Sequence, residues 1–306
     1  MVEKILELIS VATDEQTLLL VQKFTASAGI FVSANKLVYL QRTEERNSST
    51  LDTEMLSFTS SVLVSSVAND ASFQSGQYSA ITYKGQPETD RIASFALLTE
   101  SYAKSDLCMD LEKFFYSLID LFQLPQDQKT KNLVGFWGEL KFIEHIWSNF
   151  GIDVAIKWHT AGTMSKYDFI LPKANLEIKT TVGLNLLVPI KHSQLFGDVK
   201  NYLIVMSCEF DNSGETLNEL IDKLLLLKPF KNNVQLQIKL LKERARISER
   251  EASEMKLVLR DCLSFKASAL KTIENIPATI SQVAYNYDFN GVAPLMLNSL
   301  LLSEWF

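Results

Sequence analysis

The sequence predicts a mixed α/β fold with a β-rich start and an α+β end, and three observations carry that expectation. Short runs of β-branched and aromatic residues, separated by polar turns, fill most of the first about 95 residues. From Asp106 the apolar spacing changes to the helical period. From Gly135 the segments then alternate as helix, three strands, helix, strand, and the last strand, NYLIVMSCEF, is apolar almost throughout, as a buried central strand is.

In chain order, a short N-terminal helix precedes strands in AGIFVSANKLVYLQR, SSVLVSSVAND and GQYSAITYKG. Leu107, Leu111, Phe114, Phe115, Leu118, Leu121 and Phe122 then mark an amphipathic helix that Pro125 stops. NLVGFWGELKFIEHIWSNFG reads as a second helix, with Phe136, Leu140, Ile143 and Ile146 or Trp147 on one side and Gly151 after its end. DVAIKWH, YDFIL and LEIKTTV read as three strands, with Pro172 and Asn175 between the last two as in a hairpin turn. Ser193 and Gln194 can open another helix. Beyond residue 211, GETLNELIDKLLLLKPF is amphipathic and NVQLQIKLLK alternates as a strand does. The charged KERARISEREASEMK leads into KLVLRDCLSFKAS, and the tail IENIPATISQVAYNYDF carries a strand after a proline-bearing loop. Three segments are expected: a β-rich unit at 1–100, a core at 101–210, and an α+β extension packed on it at 211–306.

Composition bounds the function classes. The chain has 306 residues, 47% hydrophobic and 22% charged, which is globular composition. A net charge of −6 argues against nucleic-acid binding through global basicity and leaves room only for a local positive groove. The N-terminus MVEKILELISVATDEQ has neither a basic region nor a continuous apolar stretch, so no secretory signal is expected. No apolar run reaches the roughly 18 residues a membrane span requires. Cys108, Cys208 and Cys262 lie far apart, as reduced thiols of a cytoplasmic protein do. His145, His159 and His192 lack zinc-site spacing.

The chemistry concentrates in YDFILPKANLEIKTT. Strand alternation puts Leu176 and Ile178 on one face of LEIK and Glu177 and Lys179 on the other, with Asp168 on the preceding strand. Two carboxylates on adjacent strands form a hard oxygen site suited to Mg²⁺ or Mn²⁺, and the Ile178 backbone carbonyl can add a ligand. The Lys179 ammonium can orient an attacking water and offset charge on a phosphate. Glu139, on the helix GELKFIEHIW, can reach the same metal or a second one. A hairpin with one charged face is also ordinarily just its solvated side, and E-x-K triplets are common. The ordered set is more specific: helix acid, strand Asp, short turn, hydrophobic-Glu-hydrophobic-Lys, helix, buried strand. Lys157 and His159 on the strand before the hairpin, and Lys166 beside Tyr167, are candidate groove or phosphate contacts. Lys239, Lys242, Arg244 and Arg246 form a positive cluster, but the acids Glu243, Glu249, Glu251 and Glu254 that intersperse or follow them favour a mixed-charge solvated face. Trp137 and Trp147 flank an apolar helix face and read as core or interface aromatics.

With GFWGEL, YDFIL, LEIKTT, SQLF and NYLIVMSCEF in place, the run from Gly135 to Phe210 resembles the PD-(D/E)XK nuclease core of restriction-endonuclease-like proteins. It is especially similar to the bacterial PD-(D/E)XK motif proteins of domain of unknown function 4420, whose tail NIPATISQVAYNYDF matches. The resemblance implies an αβββαβ core and metal-dependent phosphodiester hydrolysis on DNA. It implies Asp168 and Glu177 as metal ligands, Lys179 as the catalytic lysine, Glu139 as the auxiliary helix acid and Gln194 in a supporting role near the substrate. Tyr167 stands where the family name has proline. The resemblance also implies a bacterial restriction or anti-phage setting with an ATPase and a DNA methyltransferase as partners, and a homodimer where both DNA strands are cut. A non-catalytic DNA-binding or scaffolding subunit of such a complex is the alternative.

Overall fold

The computed structural model describes residues 1–306 apart from 13, 15, 16, 71, 106–109, 123–131, 160–164, 197–198, 248, 274, 278 and 281–282. The expectations that fell on Asp106, Leu107, Cys108 and Pro125 lie outside the described residues. The chain forms two compact units, Met1–Gln128 with Phe230–Ala245, and Lys129–Pro229 with Arg246–Phe306. These bounds differ from the segments 1–100, 101–210 and 211–306: residues 101–128 and 230–245 go with the first unit, and 211–229 and 246–306 with the second.

The first unit begins with α1 (Val2–Val11) and continues with β1 (Leu19–Lys23), β2 (Ala28–Ser33), β3 (Lys36–Arg42), β4 (Thr50–Asp52), β5 (Leu56–Val64) and β6 (Gly76–Tyr83). These strands form one antiparallel sheet in the order β1-β2-β3-β6-β5-β4. Strand alternation splits its apolar residues between two faces. Ile30, Val32, Tyr39, Phe58 and Ile81 pack with residues of α2 (Thr89–Lys104) and α3 (Leu111–Phe122), while Phe31, Leu40 and Tyr78 form a second cluster with Val67 and Phe73. The helix α2 falls where the sequence expectation ended its strands. Ile92, Phe95, Ala96, Thr99 and Tyr102 are its buried stripe.

The second unit is built on α4 (Leu133–Phe150), β7 (Phe169–Ile170), β8 (Ala174–Val182), β9 (Leu187–Lys191) and β10 (Lys200–Thr216), followed by α5 (Leu217–Leu226). The short α6 (Lys228–Lys231) leads into α7 (Val234–Arg244), which belongs to the first unit. The chain then returns with α8 (Glu249–Glu254), β11 (Lys256–Lys266), β12 (Ala284–Asp288) and α9 (Ser299–Ser303). The main sheet runs β11-β10-β8-β7, with β8 antiparallel to β7 and parallel to β10, so β10 is central and buried from Asn201 to Cys208. The tail strand pairs with β9 in a separate two-stranded sheet. The mixed α and β content with several sheets agrees with the expected fold class.

Three local expectations are corrected. NVQLQIKLLK is the helix α7, not a strand: Asn233 caps it by accepting from the Leu236 N–H, and Gln237 is buried with its amide donating to the Phe230 carbonyl. DVAIKWH is not a strand either. Asp153 Oδ1 accepts from the Ala155 N–H and starts a 3-10 turn, Ala155–Lys157, after which Trp158 alone bridges Phe169. The expected helix at Ser193 and Gln194 is the single 3-10 turn His192–Leu195.

The helix α4 is placed by capping and close packing. Asn132 accepts from the Val134 N–H at 2.9 Å, and Gly151 ends the helix in the left-handed conformation at φ 67°. On the face toward β8, a Cβ at Gly138 would lie 1.8 Å from Thr180 Oγ1, so only glycine allows this approach. Lys141 of α4 pairs with Glu144 at 2.8 Å and with Glu215, and Lys223 of α5 also reaches Glu144. Burial opposes ionisation of Glu144, but hydrogen bonds from Lys141 and Lys223 outweigh it and hold its pKa down.

Candidate active site

The alternation of β8 puts Thr180 on the α4 side and Glu177 and Lys179 on the opposite face, where Lys179 Nζ pairs with Glu177 Oε1 at 2.6 Å. Asp168 sits immediately before β7. Its Oδ2 accepts from the Ile178 N–H at 2.8 Å, which ties the strand acid to the middle of the Glu177-Ile178-Lys179 triplet. In a strand the N–H and C=O of one residue point to the same side. The Ile178 carbonyl therefore faces the strand edge on which Asp168 lies.

Electrostatics set this site apart from a solvated hairpin. Burial, then the charges of Glu177 and Glu139, push the Asp168 carboxyl up to about 8. Burial likewise raises Glu177, which is 6% exposed, while Lys179, Gln194 and Lys191 oppose the shift. Tyr167 is raised by burial and by the Glu177 charge. The structure thus brings Asp168, Glu177, Lys179 and Glu139 into one electrostatic neighbourhood. Among the described residues no group of three or more His, Cys, Asp and Glu forms a ready-made metal cluster. The arrangement offers two carboxylates and a carbonyl on adjacent strands, with a third acid interacting across from α4.

The remaining expected residues are distributed around this centre. Gln194 is buried; its Oε1 accepts from the Lys191 N–H at 3.0 Å, and its side chain hydrogen-bonds Glu177 and favours that carboxylate's charged form. Lys166 is exposed, lies over the Tyr167 ring, and donates to the Phe196 carbonyl at 3.0 Å. His159 is half-buried and its backbone N–H donates to the Asp168 carbonyl at 2.6 Å. Lys157 is exposed on the 3-10 turn, and among the described residues no contact with the carboxylates places it in the site. Trp137 is fully buried and Trp147 partly so. In α7, Lys239, Lys242 and Arg244 are only partly exposed and Glu243 is buried, so this is not the solvated face expected.

Sequence reading missed Trp158, whose Nε1 donates to Glu139 Oε2 at 2.9 Å, and Lys191, whose charge acts on Glu177. Neither had a local signal, since each depends on a tertiary approach. A separate cleft of about 550 Å³ lies in the same unit, lined by Lys141, Gly214, Glu215, Glu219 and Leu257 among others. Its lysine is already paired with carboxylates, and it holds none of the hairpin residues. Chemically, the hairpin can concentrate a divalent cation against a lysine and present both to a phosphodiester.

No helix among the described residues is long and apolar enough to cross a membrane. No curated protein and no solved structure matches the chain. A family model does: residues 115–289, more than half of the chain, match the family described as "Putative PD-(D/E)XK family member" (domain of unknown function 4420), and the chain belongs to that nuclease-like family.

Proposed function

We propose that the protein is a metal-dependent DNA endonuclease acting in a bacterial restriction or anti-phage defence system. The observation that carries this reading is the half-buried Asp168, held by the Ile178 N–H and repelled by the buried Glu177 beside Lys179, with Glu139 adding charge from α4. Packing like charges together is costly unless a cation or proton offsets them. Their cost marks a site made for a positive ligand. The donor set is hard and oxygen-rich, which fits Mg²⁺ or Mn²⁺. Asp168, Glu177 and the Ile178 carbonyl would hold it, with Glu139 assisting. Such an ion, when bound, supplies Lewis acidity toward the scissile phosphate and acidifies a water.

The chain's own residues do the rest. Lys179 orients the attacking water and offsets charge on the phosphate, moving from Glu177 to do so once that carboxylate is otherwise engaged. Gln194 and Lys191 hold Glu177 in place. Lys166, Lys157 and His159 are the proposed contacts to the DNA backbone, and the first unit is proposed for target recognition or partner docking. The setting is cytoplasmic, with an ATPase and a DNA methyltransferase as partners and a homodimer where both strands are cut. The acidic balance of −6 supports a second reading, a non-catalytic DNA-binding or scaffolding subunit.

The deciding experiment is calorimetric titration of Mn²⁺ into wild type and into Asp168→Ala/Glu177→Ala, with circular dichroism on both, followed by cleavage of plasmid DNA in Mg²⁺. Binding and cleavage in wild type are expected, both lost in the double variant and cleavage alone lost in Lys179→Ala, while the fold persists in each. Undiminished cleavage by these variants would overturn the assignment, and a folded wild type that binds metal-free partners but never cuts would favour the scaffold.

A further inference from the structure

We propose that Trp158 is a positioning residue of this site, its indole N–H tethering Glu139 at a set distance from Asp168; the inference rests on the metal-site reading above. The geometry comes from one dipeptide. The Trp158 side chain donates to Glu139 Oε2 at 2.9 Å, and the next backbone N–H, of His159, donates to the Asp168 carbonyl at 2.6 Å. Trp158 also bridges Phe169, the residue after Asp168. Residues 158 and 159 therefore grip the helix acid with a side chain and the strand acid with the backbone.

The indole cannot drift. Trp158 is 2% exposed and stacks on Phe136 with ring centroids 6.1 Å apart and planes at 22°, and Phe136 lies one helical turn before Glu139 on α4. An indole nitrogen only donates, so it can hold Glu139 as acceptor alone. Burial of a tryptophan does not by itself supply an acceptor here. The Nε1 of Trp137, equally buried in the same helix, meets none among the described residues. The tether answers a definite force. The Glu139 charge raises the Asp168 pKa, so the two acids repel at this range and the indole N–H holds Glu139 against that repulsion.

The test reads the hydrogen bond and the metal separately. The chain has four tryptophans, so a ¹⁵N–¹H spectrum of the metal-free protein has four indole signals. Glu139→Ala is expected to shift one of them, and this arm needs no tryptophan variant to fold. Trp158→Phe keeps the ring stacked on Phe136 and removes only the donor. It is expected to weaken Mn²⁺ binding by calorimetry about tenfold or more, the usual loss when a partner of a metal ligand is removed. In the Glu139→Ala background the same substitution should change affinity less than about twofold. Circular dichroism should be unchanged throughout, which a purely structural role would not combine with lost affinity. Four unmoved indole signals in Glu139→Ala would overturn the tether. Wild-type Mn²⁺ affinity in Trp158→Phe, with Glu139→Ala weakened, would overturn its role while sparing the metal site. A wild type that binds no Mn²⁺ would overturn both, even with the indole shift present.

Discussion

Burial and the charges of Glu177 and Glu139 raise the Asp168 pKa from 3.8 to about 8, so the folded state holds this proton more tightly than the unfolded chain does. Between those values the folded protein binds more protons, and stability falls as pH rises. The contribution is fully present below the unfolded value and lost as pH passes through about 8. In EDTA, the melting temperature is expected to drop between pH 5 and pH 8, and Asp168→Asn should flatten that slope while keeping an acceptor for the Ile178 N–H. Differential scanning fluorimetry across the range checks this, and an equal slope in the variant would remove Asp168 as its source. Saturating Mn²⁺ should also restore most of the lost stability at pH 8, since a cation bound only to the folded state stabilises by mass action. At this scale Asp168, Glu177 and Lys179 were legible because strand alternation is local. The Trp158 and Lys191 contacts were not, because nothing near residue 158 or 191 in sequence specifies what will pack beside it.

Among elements, α4 decides whether Glu139 reaches the hairpin, and Gly138 decides where α4 lies. Alanine in a helix interior normally stabilises by about 1 kcal/mol over glycine. Here its Cβ would meet Thr180 Oγ1 at 1.8 Å and Thr180 Cβ at 2.9 Å, and overpacking of this kind costs about 1–3 kcal/mol. The overlap is severe enough that the loss wins. Gly138→Ala is expected to lower stability by about 1–2 kcal/mol in urea denaturation. It should also weaken Mn²⁺ binding, because the helix must lift from β8 and carry Glu139 away from Asp168. Unchanged metal affinity in a destabilised variant would show that Glu139 does not need this approach. Helix α4 was readable end to end from its apolar stripe and Gly151. Helix α7 was not, because it is buried over much of its circumference. Val234, Leu236, Ile238 and Leu240 then mimic strand alternation, while Gln237 and Glu243, the polar residues that would betray the pattern, are buried too. DVAIKWH failed for a different reason. A single Asx turn at Asp153 competes with extension and wins.

Over the whole molecule, 36 acidic against 30 basic side chains oppose DNA, so any affinity must come from a few local cations. The two-unit division that organises those cations was only half legible. The β-rich start was plain from its turns, but the return of α7 to the first unit depends on contacts no local pattern encodes. At and beside the candidate site the cations left for DNA are Lys191, Lys166 and Lys157, since Lys179 already faces Glu177. Each phosphate neutralised contributes about 0.9 to the slope of log affinity against log salt on duplex DNA. The chain alone is therefore expected to bind duplex DNA with a slope no steeper than about −3, measured by fluorescence anisotropy in Ca²⁺ across a salt series. Lys166→Ala should reduce the slope by about 1, whereas Lys239→Ala in α7 should leave it unchanged. A slope well beyond −3 would reveal a basic face elsewhere on the chain. If the chain shows the shallow slope alone and a steep one only with a partner present, the missing positive charge lies on the partner, and an acidic nuclease needs no basic groove of its own.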